Sequence, residues 1–460
     1  MSSLLVGFFT IRLRRWACHT EPATRSLPHG ACHTPVVGRE CEANEQAAQR
    51  PLILFPFAHT TRVSCLRATG APHISPPTAL QTLNSQLKSP PRWFTCTPIA
   101  FGGGPDFFAR DSGLLCRGFQ SLGLESRAVM PGDPQAGDEP DLIRTPYANL
   151  ESADWWKSHH LDGVVLYAWG SPRFRKVARA IREAGVFLIL NQDNGGLVSP
   201  LAGPGEWWDE QAILTGCPDA PGSTRKFLNQ IMRGLTLGLA ITDPLRAIHL
   251  HQGDVIACVS PAAAEFYRQL CTFYGGPSLA RRVRVLPHPV EPVFRYDGEA
   301  KHRRVVCVGR WDDAVQKRPA LLMRVVDRLL ESDPELDWVI AGTPTDEMAA
   351  WHARLPGARK SRVELAGRMD RTALAETMRR ARVFYSPSAY ESFGIAAAEA
   401  LCCGCSVVAG KSVSMVSFEW FTSEESGSLA DHDTPDAHAN SLLTELMHWD
   451  ADERDAGKIS

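Results

Sequence analysis

No apolar stretch of this 460-residue chain approaches the ~18 residues that a membrane-spanning helix needs, so no such helix is expected. The early run LLVGFF has its basic residues Arg12, Arg14 and Arg15 after it rather than before it, which argues against a secretory leader. Net charge is equally scarce: 49 Lys and Arg stand against 51 Asp and Glu, for a formal charge of -2. Nothing therefore draws the whole chain to nucleic acid or to an acidic membrane, and any such contact must come from a local patch. The thirteen cysteines are odd in number and contain no pair of C-x-x-C units at metal spacing. Several sit in apolar runs, Cys258 in VIACVS and Cys307 in VVCVG, as buried reduced thiols of a cytoplasmic protein do. No short fixed repeat recurs, which excludes a solenoid.

What is present is a chain long enough for two domains. Residues 1–90 hold nine Lys and Arg against four Asp and Glu and almost no sustained periodicity, and read as a disordered extension. From Arg92 the texture changes. RWFTCTPIAF reads as a strand, FGGGP as a glycine turn and DFFARDSGLLCRGFQSLG as one helix ended by Gly123. GVVLYAW with a basic helix from Pro172, VFLILNQD with a Gly-Gly loop, and DVIACVS with a helix from Pro261 repeat the strand-to-helix alternation. That alternation predicts a parallel sheet covered on both faces over residues 91–290. The proline-rich RVRVLPHPVEPVF reads as a linker. A second series covers residues 291–460: RRVVCVGR, a helix over 319–330, LDWVIAG, RVELAG, a helix over 373–382, VFYSPS, a further helix and CSVVAG. Two doubly wound domains of this kind place a cleft at the carboxyl ends of their strands, where ligands bind.

The stretch SPSAYESFGIAAAEAL, residues 386–401, sets Glu391 and Glu399 eight positions apart, the second amid Ile395, three alanines, Ala400 and Leu401. A carboxylate in such a helix requires a partner, and the adjacent residues supply none. Together with EALCCGCSVVA, VVCVGRW, Lys317, the AGR of residues 366–368, VLPHPV and the ESGSLA of residues 425–430, it resembles the E-x7-E signature and ordered motifs of retaining glycosyltransferase group 1, or family 4, over residues 92–450. The resemblance implies an α/β fold of the GT-B type, two Rossmann-like doubly wound domains facing an interdomain cleft. It implies transfer of a sugar from a nucleotide-diphosphate donor to an acceptor hydroxyl, without a cofactor or metal. It also implies a last helix crossing back onto the first domain, for which the closing DERDAGKIS leaves little room.

On this reading Arg310 and Lys317 neutralise the donor diphosphate, Glu399 accepts the ribose hydroxyls and so finds its partner in the ligand, and Glu391 accepts from sugar hydroxyls. Backbone N–H groups of Phe393, Gly394 and Ile395 face the anion at a helix start. Gly103 and Gly104 approach the donor phosphates, Arg368 and Met369 contact the base, and Asp193 or Asn194 stands opposite the donor sugar. Plainer accounts stay open for most of these. Arg310 and Lys317 also suit surface pairing with Asp312 and Asp313, and the glycine run a turn, while a loop or helix cap accounts for Asp193 or Asn194 equally well. Cys402, Cys403 and Cys405 read as small buried residues, and His249 and His251 as non-ligands. The basic helix with Arg173, Arg175, Lys176, Arg179 and Arg182 reads as a solvated face, with peripheral contact to an anionic membrane as the alternative. Two other functions compete with transfer. A silent binder of nucleotide sugars or of a protein would bind without turnover, and an epimerase or phosphorylase of the same fold would epimerise its donor or depend on phosphate.

Overall fold

The computed structural model describes residues 90–194, 199–201, 203–216, 221–410 and 416–460. The extension read over residues 1–90 and the loop at Gly195 and Gly196 lie outside these residues, apart from Pro90.

Seven strands form the first sheet: β1 (Trp93–Cys96), β2 (Ala128–Pro131), β3 (Leu142–Thr145), β4 (Gly163–Tyr167), β5 (Phe187–Gln192), β6 (Val255–Cys258) and β7 (Val283–Val285). Every pairing is parallel and the order is 3-2-1-4-5-6-7. The second sheet holds β8 (His302–Val308), β9 (Asp337–Ala341), β10 (Val363–Gly367), β11 (Ala381–Ser386), β12 (Ser406–Gly410) and β13 (Gly427–Ala430), again all parallel, in order 10-9-8-11-12-13. Central strands such as Gly163–Tyr167 and Ser406–Gly410 are buried at every position, as strands with helices on both faces must be. Each sheet has its own core. Phe94, Leu166, Leu190 and Tyr267 belong to the first, and Val306, Trp338, Phe384 and Val408 to the second.

Both sheets reverse strand order beside their first strand, between β1 and β4 and between β8 and β11, and loops leaving those carboxyl ends carry the polar residues described below. Two expectations are corrected. The segment expected to be one helix after the glycine run is two, Pro105–Phe108 and Asp111–Ser121. The break falls at Asp111, whose φ of 47° lies in the left-handed region that L-residues avoid. The proline-rich segment is also not all linker, because Val283–Val285 adds the edge strand β7 before residues 286–301 cross to the second sheet.

Candidate functional site

The loop from Arg310 to Arg318 folds back on the residues after β11. Ala389 N donates to Gln316 O at 2.7 Å, and Gln316 Nε2 donates to Tyr390 O at 3.0 Å and to Glu391 Oε2 at 3.3 Å. That places Lys317 Nζ directly on Glu391 Oε1, with both side chains largely shielded from water. Arg310 is not drawn into this pair. Its guanidinium is 72% exposed and lies 3.6 Å from Asp313, as the surface-partner account has it.

Glu399 is buried in helix Ile395–Cys402, and one of its two oxygens already has a protein partner, Arg371, which the sequence did not point to. Arg371 Nη2 donates to Glu399 Oε1 at 2.5 Å and Nε to Glu291 Oε2 at 2.9 Å. Burial pushes the Glu399 carboxyl up, and Arg371 offsets this only in part. The start of that helix is built as read. Gly394 caps it at φ 75° and ψ 60°, a conformation that suits glycine, and no side chain caps the first turn. Phe393 is buried against Phe421 and His288, so only its backbone is available to a ligand.

Opposite this face, Asp193 follows β5 and accepts a 2.6 Å hydrogen bond from Ser392 Oγ of the second domain. His288, the histidine between two prolines in VLPHPV, puts Nε2 3.0 Å from Asp193 Oδ2, while its Nδ1 has no hydrogen-bond partner. Burial opposes the charge on both groups. The mutual attraction outweighs it, holding the Asp193 carboxyl below its ordinary range and the His288 imidazole above its own. Asp111, re-aimed by the helix break, joins them: one ligand atom from each of Asp111, Asp193 and His288 lies within 4.8 Å of the others. Such a set has the chemistry to hold a divalent cation, although the His288–Asp193 ion pair already satisfies two of its members. Asn194 serves structure instead, donating to Trp169 O at 2.9 Å and to Tyr267 Oη at 2.8 Å.

Gly103 owes its lack of a side chain to packing, since a Cβ there would lie 2.2 Å from Leu142 Cδ2 and 2.3 Å from Asp138 Oδ1. Arg144, itself buried, anchors this loop by donating to Phe101 O at 2.8 Å and to Asp138. The turn account therefore explains Gly103, and Gly104 is the more open of the two. Arg368 reaches across to pair with Asp106, both largely in solvent, and Met369 packs at the edge of the second core.

Sequence reading missed Arg371, His288, Asp111 and Glu210. Only His288 carried a signal, its place inside a quoted family motif. Glu210, on helix Pro204–Thr215, is pushed up to about 7 by burial and stands close enough to Tyr390 to help raise its phenol, after burial and Asp313. Cys403 and Cys405 are buried, and His249 is buried and held neutral, its imidazole pushed down to about 4 by burial and Arg246. In the basic helix Arg175–Glu183, Lys176 approaches Glu151, Arg182 approaches Asp254, and Arg173 just before it stacks on Phe174.

Residues 302–447 match the family described as "Glycosyl transferases group 1". That segment is similar to the group 1 glycosyl transferases. Among curated proteins, D-inositol 3-phosphate glycosyltransferase of Kribbella flavida is 35% identical over 161 residues, 31% of this chain and 37% of that protein. The match thus spans little more than a third of that relative. Among solved structures, the apo lipopolysaccharide outer core galactosyltransferase WaaB superposes with a TM-score of 0.50 at 14% identity, over 80% of this chain and 93% of that one. With two parallel-sheet domains of order 3-2-1-4-5-6 at their centres, the fold is GT-B, and the segment that matches the family model lies in its second half. No helix among the described residues is long and apolar enough to cross a membrane.

Proposed function

We propose that this chain transfers a sugar from a nucleotide-diphosphate donor to an acceptor hydroxyl, with retention at the anomeric carbon and without a metal. The observation that carries the reading is the meeting of Lys317 and Glu391 on the second domain beside the uncapped start of helix Ile395–Cys402, facing Asp193 across the cleft. Lys317 exchanges Glu391 for the donor diphosphate and stabilises its charge as the glycosidic bond breaks. The free N–H groups at the helix start, from Gly394 and Ile395, add a second anchor, and Arg310, exposed beside Asp313, closes over the outer phosphate. Glu391, released from Lys317, accepts from sugar hydroxyls. Glu399 keeps Arg371 on one oxygen and takes the ribose diol with the other, and the base lies along the backbone of Arg368 and Met369.

No carboxylate is assigned as a nucleophile. The acceptor hydroxyl attacks from the face the diphosphate leaves, and the departing phosphate oxygen takes its proton, so that positioning and electrostatic stabilisation supply the rate. The acceptor is a saccharide or glycolipid, bound by the first domain near Gly104. The eight reduced cysteines among the described residues support a cytoplasmic site of action.

The test is release of nucleoside diphosphate from UDP-, GDP- and ADP-sugars in chelator, with the product anomer read by NMR. Turnover of one donor with retention, lost in Lys317→Ala, is expected. Tight nucleotide binding without release would replace the proposal with a silent binder, and an epimerised donor would replace it with an epimerase.

A further inference from the structure

Nine of the fourteen large hydrophobic side chains exposed among the described residues fall between Trp208 and Phe273, on the first domain, which excludes the even scatter of an ordinary surface. They centre on helix Ser223–Arg233 and the wider-wound helical segment Gly234–Thr242 that continues it, GLTLGLAIT, which buries no residue at all. Leu228, Met232, Leu235, Leu237 and Ile241 are each about half exposed, and Phe273 of helix Pro261–Ala280 is 68% exposed. Between the wide segment and Phe273 runs an apolar groove of about 540 Å³, floored by Leu239 and Tyr274. A helix apolar on every side needs a cover, and an uncharged nine-residue segment that satisfies its own backbone needs none of water's hydrogen bonds.

The charges beside it identify the cover. Residues 221–242 contain Arg225, Lys226 and Arg233 and no Asp or Glu. All three cations are exposed, and none is ion-paired among the described residues. A second copy of this chain docking face to face would set these cations against themselves, because a two-fold interface joins a patch to its own image. An anionic lipid surface instead offers phosphates to the cations and hydrocarbon to the leucines. We propose that residues 223–248 with Phe273 dock the first domain onto an anionic lipid bilayer, lying in the interface and not crossing it. This moves the expected membrane contact away from helix Arg175–Glu183, which exposes none of the large hydrophobic side chains that would enter a bilayer, and it stands apart from the transfer reaction: a chain without turnover would bind equally well.

The experiment is cosedimentation of the full chain with vesicles of phosphatidylcholine, alone or mixed with phosphatidylglycerol. Binding to the mixed vesicles is expected, weakened by salt, at least about tenfold weaker in Leu235→Asp/Leu237→Asp and roughly fivefold weaker for each of Arg225→Ala and Lys226→Ala. Arg175→Ala/Arg179→Ala should stay within about twofold of wild type. Because the aspartate variant also adds negative charge that an anionic surface repels wherever it lies, amide exchange of the wild-type chain is read as well, and residues 228–241 should slow when mixed vesicles are added. Failure of the wild type to sediment with mixed vesicles, equal binding by the aspartate variant, or unchanged exchange over 228–241 would each overturn the proposal. So would a concentration-dependent dimer, seen by ultracentrifugation, that the same variants break without any vesicle binding.

Discussion

Arg371 holds Glu399 at 2.5 Å inside the second domain while the other side of the same guanidinium holds Glu291 from the segment that joins the two sheets. One cation thus anchors the buried carboxylate and the interdomain connection together. Its Nη2 also lies 3.4 Å from Ala109 O in the loop after the glycine run, so the contact extends to the first domain.

The asymmetry of that pair sets the first expectation. Arg371→Ala strands a carboxylate that is 2% exposed, whereas Glu399→Gln leaves a neutral amide against a partly exposed arginine still paired with Glu291. Arg371→Ala should lower stability by about 2–3 kcal/mol in urea titrations, and Glu399→Gln by roughly half as much. Equal losses would mean that Glu399 is protonated in the wild-type fold.

Charge placement separates the two cations named from sequence. Lys317 is shielded and already on Glu391, and Arg310 is in solvent beside Asp313. Lys317→Ala should cut nucleoside diphosphate release by about 10²–10³, the range seen when an oriented charge is removed from a transition state, and Arg310→Ala by an order of magnitude less. Steady-state assays with the active donor decide it, and the reverse ranking would show that the 310–318 loop rearranges on binding.

The parts of this fold that sequence made legible are those that form continuous buried runs. VVCV, WVIA, VFYS and SVVA became β8, β9, β11 and β12 because a strand covered on both faces cannot be polar. The short strands β2, β3 and β13 read as Ala-Val-Met-Pro, Leu-Ile-Arg-Thr and Gly-Ser-Leu-Ala, four residues each with no run to distinguish them from loop. At the site, Glu391, Glu399 and Lys317 were found through spacing within a motif. Arg371 and His288 were not, because the pairs Arg371–Glu399 and His288–Asp193 close across 28 and 95 residues, and no local pattern encodes which cation meets a buried acid. Asp111 was hidden by a good helical pattern that the backbone breaks.

The His288–Asp193 couple gives a pH dependence with a fixed sign. His288 has a folded value above its ordinary 6.5, so its contribution is complete below 6.5 and fades as pH rises through the raised value. Asp193 has a folded value below its ordinary 3.8, so its contribution is complete above 3.8 and fades as pH falls through the lowered value. The melting temperature of wild type should therefore exceed that of His288→Asn by the most between these limits, near pH 5 to 6, and the gap should close in alkaline buffer. A gap independent of pH would reduce the couple to packing.

Glu210 supplies a second slope in the same direction. Its carboxyl titrates at about 7 in the fold against an ordinary 4.5, so between those values the folded chain binds more protons than the unfolded one. Stability must then fall as pH rises from about 4.5 to about 7, the opposite of what a salt-bridged acid does. Glu210→Gln removes the titration while keeping the shape of the side chain, so thermal melts across this window should lie flatter in the variant and cross above wild type at neutral pH. Because Glu210 also helps raise the Tyr390 phenol, the variant should shift the tyrosinate absorbance titration of Tyr390 downward, taken as the difference from Tyr390→Phe. Melting curves that stay parallel from pH 4.5 to 7 would show that the Glu210 carboxyl reaches water and carries its charge throughout.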